Sequence, residues 1–160
     1  MEPTIETVPP KRLVGIRLRM SLEKNRTAEL WQNFMPRRGE VSNRTDSSYI
    51  PMQVHDSVGA NQFSPAKKFE KWVAVEVFTH GRIPDGMESY RLSGGEYAVF
   101  HHKGPASDAP QVFQHIFDVW LPGSEFELDS REHFELLPEN YSPIDPDAEE
   151  DIYIPIRPKA

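Results

Sequence analysis

The feature that most constrains this chain is a repeat of order. An amphipathic helix lies between period-two strands twice, and the two helices close on the same kind of sequence, Phe34-Met35-Pro36 and Trp120-Leu121-Pro122. In the first half Val14, Ile16 and Leu18 alternate with Gly15, Arg17 and Arg19, the pattern of a strand buried on one face. Pro9-Pro10 removes two backbone donors and predicts a break within Thr4 to Met20. Thr27 is a candidate N-cap. Leu30, Trp31, Phe34 and Met35 follow on one helical stripe, with Pro36 and Gly39 as stop signals. After the polar stretch Val41 to Ser48, a strand is expected over Tyr49 to His55, where Pro51 predicts an edge or a bulge. A loop rich in Gly, Asn, Ser and Pro is expected from Gly59 to Lys68. The strongest strand of this half then runs from Lys71 to Thr79, with Val73, Val75 and Val77 on one face and Trp72, Ala74, Glu76 and Phe78 on the other.

The second half follows the turn-rich connection Gly81 to Met87. A strand is expected over Gly95 to Lys103, broken by Gly104-Pro105. Asp108 is a candidate N-cap, Pro110 fits a first helical turn, and Val112, Phe113, Ile116, Phe117, Trp120 and Leu121 carry the helical stripe up to Pro122-Gly123. Phe126 to Leu128, a short strand around Glu135, an acidic turn from Ser142 to Asp151 and a last strand Ile152 to Ile156 complete the chain. Each half reads strand, helix, strand, strand, over about 4–80 and about 88–158 of a single domain spanning 1–160. The expected fold is α+β: an antiparallel sheet with pseudo-two-fold symmetry and both helices on one face, flanking a groove. A groove at a repeat interface is a favoured place for a small-molecule site.

Charge and composition narrow the function classes. The formal net charge of -7 over 160 residues argues against direct nucleic-acid binding, which calls for a basic patch. With no cysteine there is no disulfide framework, thiol nucleophile or thiolate metal site. The N-terminus lacks the basic and apolar regions of a signal peptide, and no apolar run is long enough to span a bilayer, so a cytoplasmic location is expected. His101 and His102 are adjacent in a strand and point to opposite faces, so they do not jointly grip a metal. No metal site and no cofactor are expected. The acids Asp145, Asp147, Glu149, Glu150 and Asp151 read as a solvated turn, lacking the glycine and spacing of a calcium loop.

Glu135 is the main candidate for chemistry. It stands mid-strand between Phe134 and Leu136. If only the Phe134 face is covered, Glu135 is a solvated carboxylate. If both faces are covered, it is a buried acid in need of a partner. Trp31, Tyr49, Trp72 and Trp120 are candidate walls for a cationic ligand, since aromatic faces attract cations by about 0.5 to 2 kcal/mol each. An aromatic at helical spacing serves in the core more often than in a pocket; for Tyr49, whose hydroxyl needs a partner if buried, the two readings stand level.

Taken together, Glu29 to Phe34, Lys71 to Val77, Tyr97 to Gly104, Trp120-Leu121-Pro122, Phe134-Glu135 and Ile152 to Ile156 resemble the GyrI-like, or AraC-type, effector-binding domain of bacterial transcription activators. The resemblance covers most of the chain and implies paired strand-helix-strand-strand repeats. It implies binding of lipophilic, often cationic, small molecules, as in multidrug binding and transcription regulation. It assigns Glu135 to the ligand's positive charge, Tyr49 to the pocket wall, and the segment around His102 to the pocket lining. No DNA-binding helix-turn-helix flanks the domain, so a stand-alone binder is expected: a sensor, a sequestering protein or a resistance factor. Two alternatives accompany it. One is hydrolysis of reactive electrophiles with Glu135 as base and Tyr49 as proton donor, an acid-base pair of the kind such chemistry needs. The other is inhibition of a DNA topoisomerase by protein contact.

Overall fold

A computed structural model describes residues 1–56 and 63–160. Among the described residues there are nine strands and two principal helices. The strands are β1 (Thr4–Val8), β2 (Lys11–Met20), β3 (Ile50–Val54), β4 (Phe69–Glu76), β5 (Glu88–Leu92), β6 (Gly95–Lys103), β7 (Phe126–Leu128), β8 (His133–Leu136) and β9 (Glu149–Pro158). Helix α1 (Thr27–Phe34) runs into a 3₁₀ segment, Met35–Glu40, where Pro36 cannot continue an α-helical ladder. Helix α2 (Ala109–His115) continues through a π-helical turn, Ile116–Trp120, to a last α-helical turn, Leu121–Gly123. None of these helices is long and apolar enough to cross a membrane.

All pairings are antiparallel, and the strand order is β1-β6-β9-β8-β3-β4-β2-β5, with β7 added beside β9. The order is symmetric about the β8/β3 contact. The first half supplies β2-α1-β3-β4 and the second β6-α2-β8-β9, as the repeat predicts. The strand that leads into each half crosses over: β1 pairs with β6, and β5 pairs with β2.

This crossing curls the sheet. Strand β1 is at one end of the order and β2 lies near the other, yet only Pro9 and Pro10 separate them. Three residue steps span at most about 11 Å, so the ends of the sheet must approach. Gly94, in the equally short β5-β6 connection, has φ +78°, and a Cβ there would stand 2.6 Å from the Val8 carbonyl oxygen. The two connections therefore press against each other, and only glycine fits. Gly15 marks a second close approach, since a Cβ there would lie 2.1 Å from the Val73 carbonyl oxygen of β4.

The two sheet faces bury different residues. Away from the helices, Val8, Leu13, Ile50, Met52, Trp72, Ala74, Leu92, Tyr97, Val99 and Phe134 form one cluster, with Tyr153 packed against it. On the helix face, α1 packs Leu30 and Phe34 onto Val14, Val73 and Val75, while α2 and the π-helical turn after it pack Val112 and Ile116 onto Phe100, Ile152 and Ile154. Both helices lie on one face, over opposite halves.

Several local expectations change. Thr27 opens α1 from inside, with Arg26 in the cap position, and its hydroxyl donates to the Met20 sulfur at 3.6 Å. Strand β3 is central rather than an edge, and its proline is accommodated by a gap in pairing. The β3-β8 ladder joins Met52 to Phe134 and Gln53 to His133, and the Tyr49-Leu137 bridge continues that register. Pro51, which has no N–H to give, stands in the interval opposite Glu135. Glu149, Glu150 and Asp151 belong to β9 rather than to a turn. Strand β5 was not expected. Of the expected loop Gly59 to Lys68, residues 59–62 lie outside the described ones.

Candidate functional site

Continuing the registers across the helix face gives three rows of side chains. The first holds Lys71, Gln53, His133 and Ile154. The second holds Val73, Pro51, Glu135 and Ile152. The third holds Val75, Tyr49, Leu137, Glu150 and His102. Directly paired residues point to the same side. Glu135 is therefore in the middle of the groove floor, between a proline and an isoleucine, and it is partly buried.

Glu135 has a second carboxyl beside it. Glu150, buried at 9% exposure, stands one row away on β9 and shares a hydrogen bond with Glu135. Two carboxyls can share such a bond only if one keeps a proton. Burial, followed by the Glu135 charge and this bond, pushes Glu150 up to about 8, against the pull of Lys71. His102 backs Glu150, with Nδ1 at 3.4 Å from its Oε1, while its Nε2 lies 3.4 Å from Asp108 Oδ2. Asp108, expected as an N-cap, caps nothing through its side chain and instead faces His102.

Lys71 brings a basic side chain to the same face. It is buried, and desolvation holds its ammonium below the usual lysine range, opposed by the charges of Glu135 and Glu150. Tyr141, from the turn before β9, is pushed up to about 12 by burial and then by Glu150 and Glu135.

The walls are aromatic. On the α1 side Trp31 meets Tyr49 edge-on at 5.9 Å, Phe34 meets the same ring at 6.4 Å, and Arg44 lies over it at 5.1 Å. On the α2 side Phe113 and Phe117 stack at 6.2 Å. Phe63 packs on Phe117 at 4.5 Å and on His133 and His55 at 5.8 and 5.5 Å.

Of the residues picked from sequence, Glu135, Tyr49, Trp31 and His102 lie on the helix face. Trp72 does not: it pairs in register with Met52 on the opposite face and packs against Tyr90 at 5.3 Å. Trp120 packs against Phe100 and Phe126 at 5.2 and 6.4 Å, beneath the end of the second helix and toward the β6 and β7 side. Helical spacing placed it on an apolar stripe without telling which part of the stripe meets the groove. Sequence reasoning missed Glu150, Lys71, His133 and Phe117. Glu150 was legible by extending the period of Ile152, Ile154 and Ile156 backward, and Lys71 by extending Val73, Val75 and Val77. Among the described residues, no group of three or more His, Cys, Asp or Glu side chains is arranged to hold a metal ion.

Comparison with known proteins places this chain among relatives. The family model described as a GyrI-like small molecule binding domain matches residues 1–157. The transcriptional regulator BrlR of Pseudomonas aeruginosa is 30% identical over 149 residues, which is 92% of this chain and 53% of that protein. The chain thus spans about half the length of that regulator. SAV2435 bound to tetraphenylphosphonium shares the fold with a TM-score of 0.73 at 16% identity, over 98% of this chain and 94% of that one. A hydrolase encoded by lin2189 from Listeria innocua shares it with a TM-score of 0.57 at 11% identity, over 98% and 92%.

Proposed function

Because this chain belongs to the GyrI-like small-molecule binding domains, we propose that its groove binds a lipophilic cation, with Glu135 meeting the positive charge. A sensor, sequestering or resistance role follows from such binding. The observation that carries this reading is the placing of Glu135, a partly buried carboxyl centred between Pro51 and Ile152 under aromatic walls. Apolar walls favour the ligand's hydrocarbon, and a carboxylate in low dielectric favours its charge. That a protein of this fold is known bound to tetraphenylphosphonium supports the choice of ligand class.

Calorimetric titration with tetraphenylphosphonium tests it. Glu135→Gln keeps the shape and removes the charge. A charge-assisted interaction contributes about 1.5 to 3 kcal/mol, so affinity falls by about 10- to 100-fold while the variant stays folded. Equal affinities for the two proteins refute the reading.

Hydrolysis of an electrophile is the second reading. It draws support from Glu150, which keeps its proton into the neutral range and could act as a donor opposite Glu135. Tyr49, the donor expected from sequence, is enclosed by Trp31 and Phe34. Steady product release from an epoxide or activated ester, lost on Glu135→Gln, would establish it.

A further inference from the structure

The groove floor contains an ammonium of its own. Lys71, Glu135 and Glu150 stand on three strands of one face, β4, β8 and β9, within a lattice fixed by backbone pairing. Strand spacing of about 4.8 Å and a two-residue step of about 6.7 Å put the Lys71 and Glu135 Cα atoms about 12 Å apart, within the joint reach of the two side chains. Lys71 is 8% exposed and Glu150 9%. We propose that Lys71 is the charge selector of this groove: its buried ammonium balances one of the two carboxyls, so that the site accepts one positive charge from a ligand and gives up the proton shared by Glu135 and Glu150 when it does. This rests on the cation-binding reading above.

The argument is a count of charges in a poorly solvated space. With one proton between the two carboxyls, the three groups sum to zero. A monocation entering that set would leave a net buried charge, which is costly. Loss of the shared proton restores neutrality, and the proton passes to solvent or buffer. A dication leaves one positive charge uncompensated even after the proton has gone. Without the ammonium, the two carboxyls and their proton sum to minus one. A monocation then neutralises the set with no proton lost, and a dication does so with one lost.

The groups that face Glu150 agree with this assignment. Glu135 approaches it from β8, Lys71 from β4, Tyr141 from the preceding turn and His102 from β6, with Asp108 behind the histidine. Asp151 adds a like charge from its own strand. Burial and the carboxyl neighbours favour the protonated form, and the Lys71 charge opposes them. Lys71 is thus the side chain whose removal changes the count without touching either acid.

The test uses the full chain and tetraphenylphosphonium as a monocation without a titratable group. Calorimetry in two buffers of unlike ionisation enthalpy reads the protons released. The wild type is expected to release close to one proton at pH 7, and its affinity should rise about tenfold per pH unit below pH 8 and level off above it. Lys71→Met should bind the monocation at least tenfold more tightly at pH 6, with no proton released and no pH slope. It should also bind an alkane carrying two triphenylphosphonium ends, narrowing the preference for one charge over two by tenfold or more. Glu150→Gln should bind without a pH slope and more weakly than the wild type at pH 8. Wild-type binding without proton release, or Lys71→Met binding no more tightly, overturns the inference and leaves the cation-binding reading standing. Absence of binding in all three proteins overturns both. A ligand-free control reads the Glu150 carboxyl by carbon-13 NMR. Its titration midpoint should rise in Lys71→Met, and an unmoved midpoint overturns the inference whatever the ligand does.

Discussion

Replacing His55 by phenylalanine should make the protein less sensitive to acid. His55 follows β3 and is surrounded by Phe69, Phe63 and His133 at 5.3, 5.5 and 5.2 Å between ring centres. Both of its ring nitrogens are buried with no hydrogen-bond partner among the described residues. Burial, and after it the Lys71 charge, lowers its pKa from 6.5 to about 4. The folded state therefore holds this imidazole neutral while an unfolded chain protonates it below 6.5. Its contribution is fully present above pH 6.5 and is lost as pH falls toward 4. At about 1.4 kcal/mol per pH unit that window is worth ~3 kcal/mol for a fully sequestered ring, and solvent reaching part of the ring brings this to about 2 kcal/mol. At pH 7.5, His55→Phe should match or exceed the wild type by about 1 kcal/mol, because two unpaired buried nitrogens have gone. Between pH 7.5 and 4.5 its advantage should grow by about 2 kcal/mol. Glu150 titrates in both proteins and cancels in the difference. Urea denaturation at pH 7.5, 6 and 4.5 with unchanged m-values measures it. Parallel stability-pH curves for the two proteins would refute the reasoning.

Two further outcomes follow from placement. Gly15→Ala should destabilise the protein by more than about 2 kcal/mol in urea denaturation, because its Cβ would overlap the Val73 carbonyl in a paired strand and the backbone must move. Trp72→Phe should leave tetraphenylphosphonium affinity within about twofold of wild type, since Trp72 lies on the face away from the groove; a tenfold loss in calorimetry would put it in the site.

The repeat, the antiparallel sheet and the two helices were legible because each rests on local pattern. Val14, Ile16 and Leu18 announce one buried face, and Leu30 and Phe34 announce a helical stripe. The centre of the site was only half legible. Glu135 could be suspected from its apolar neighbours, but its strand alone did not say whether the second face was covered. Trp72 and Tyr49 look alike as aromatic strand residues. The difference between them is parity, which needs a register, and the register depends on partners far along the chain. Pro51 misled for a related reason. Proline usually marks an edge, and here a central ladder leaves a gap for it opposite Glu135. Glu150 was lost among the acids of Ser142 to Asp151, where composition suggested a turn and the period of the following strand was not carried back.

The exchange of lead strands has a consequence for how the chain reaches its native state. Strand β1 precedes the other described elements in the chain, yet its partner β6 comes late, with Thr4 set against Val99 and Val8 against Gly95. Until β6 emerges, the first half has no ladder for β1, and β2 lacks β5 on its outer edge. Neither half can complete its own sheet, so the halves are not separable folding units despite their similar plan. Loops that must close over such distances are entropically costly before they are rewarded, and folding should be slower than that of a sheet built from adjacent hairpins. A chain cut between the halves would leave each fragment with an unpaired sheet edge, and such edges invite pairing with other chains.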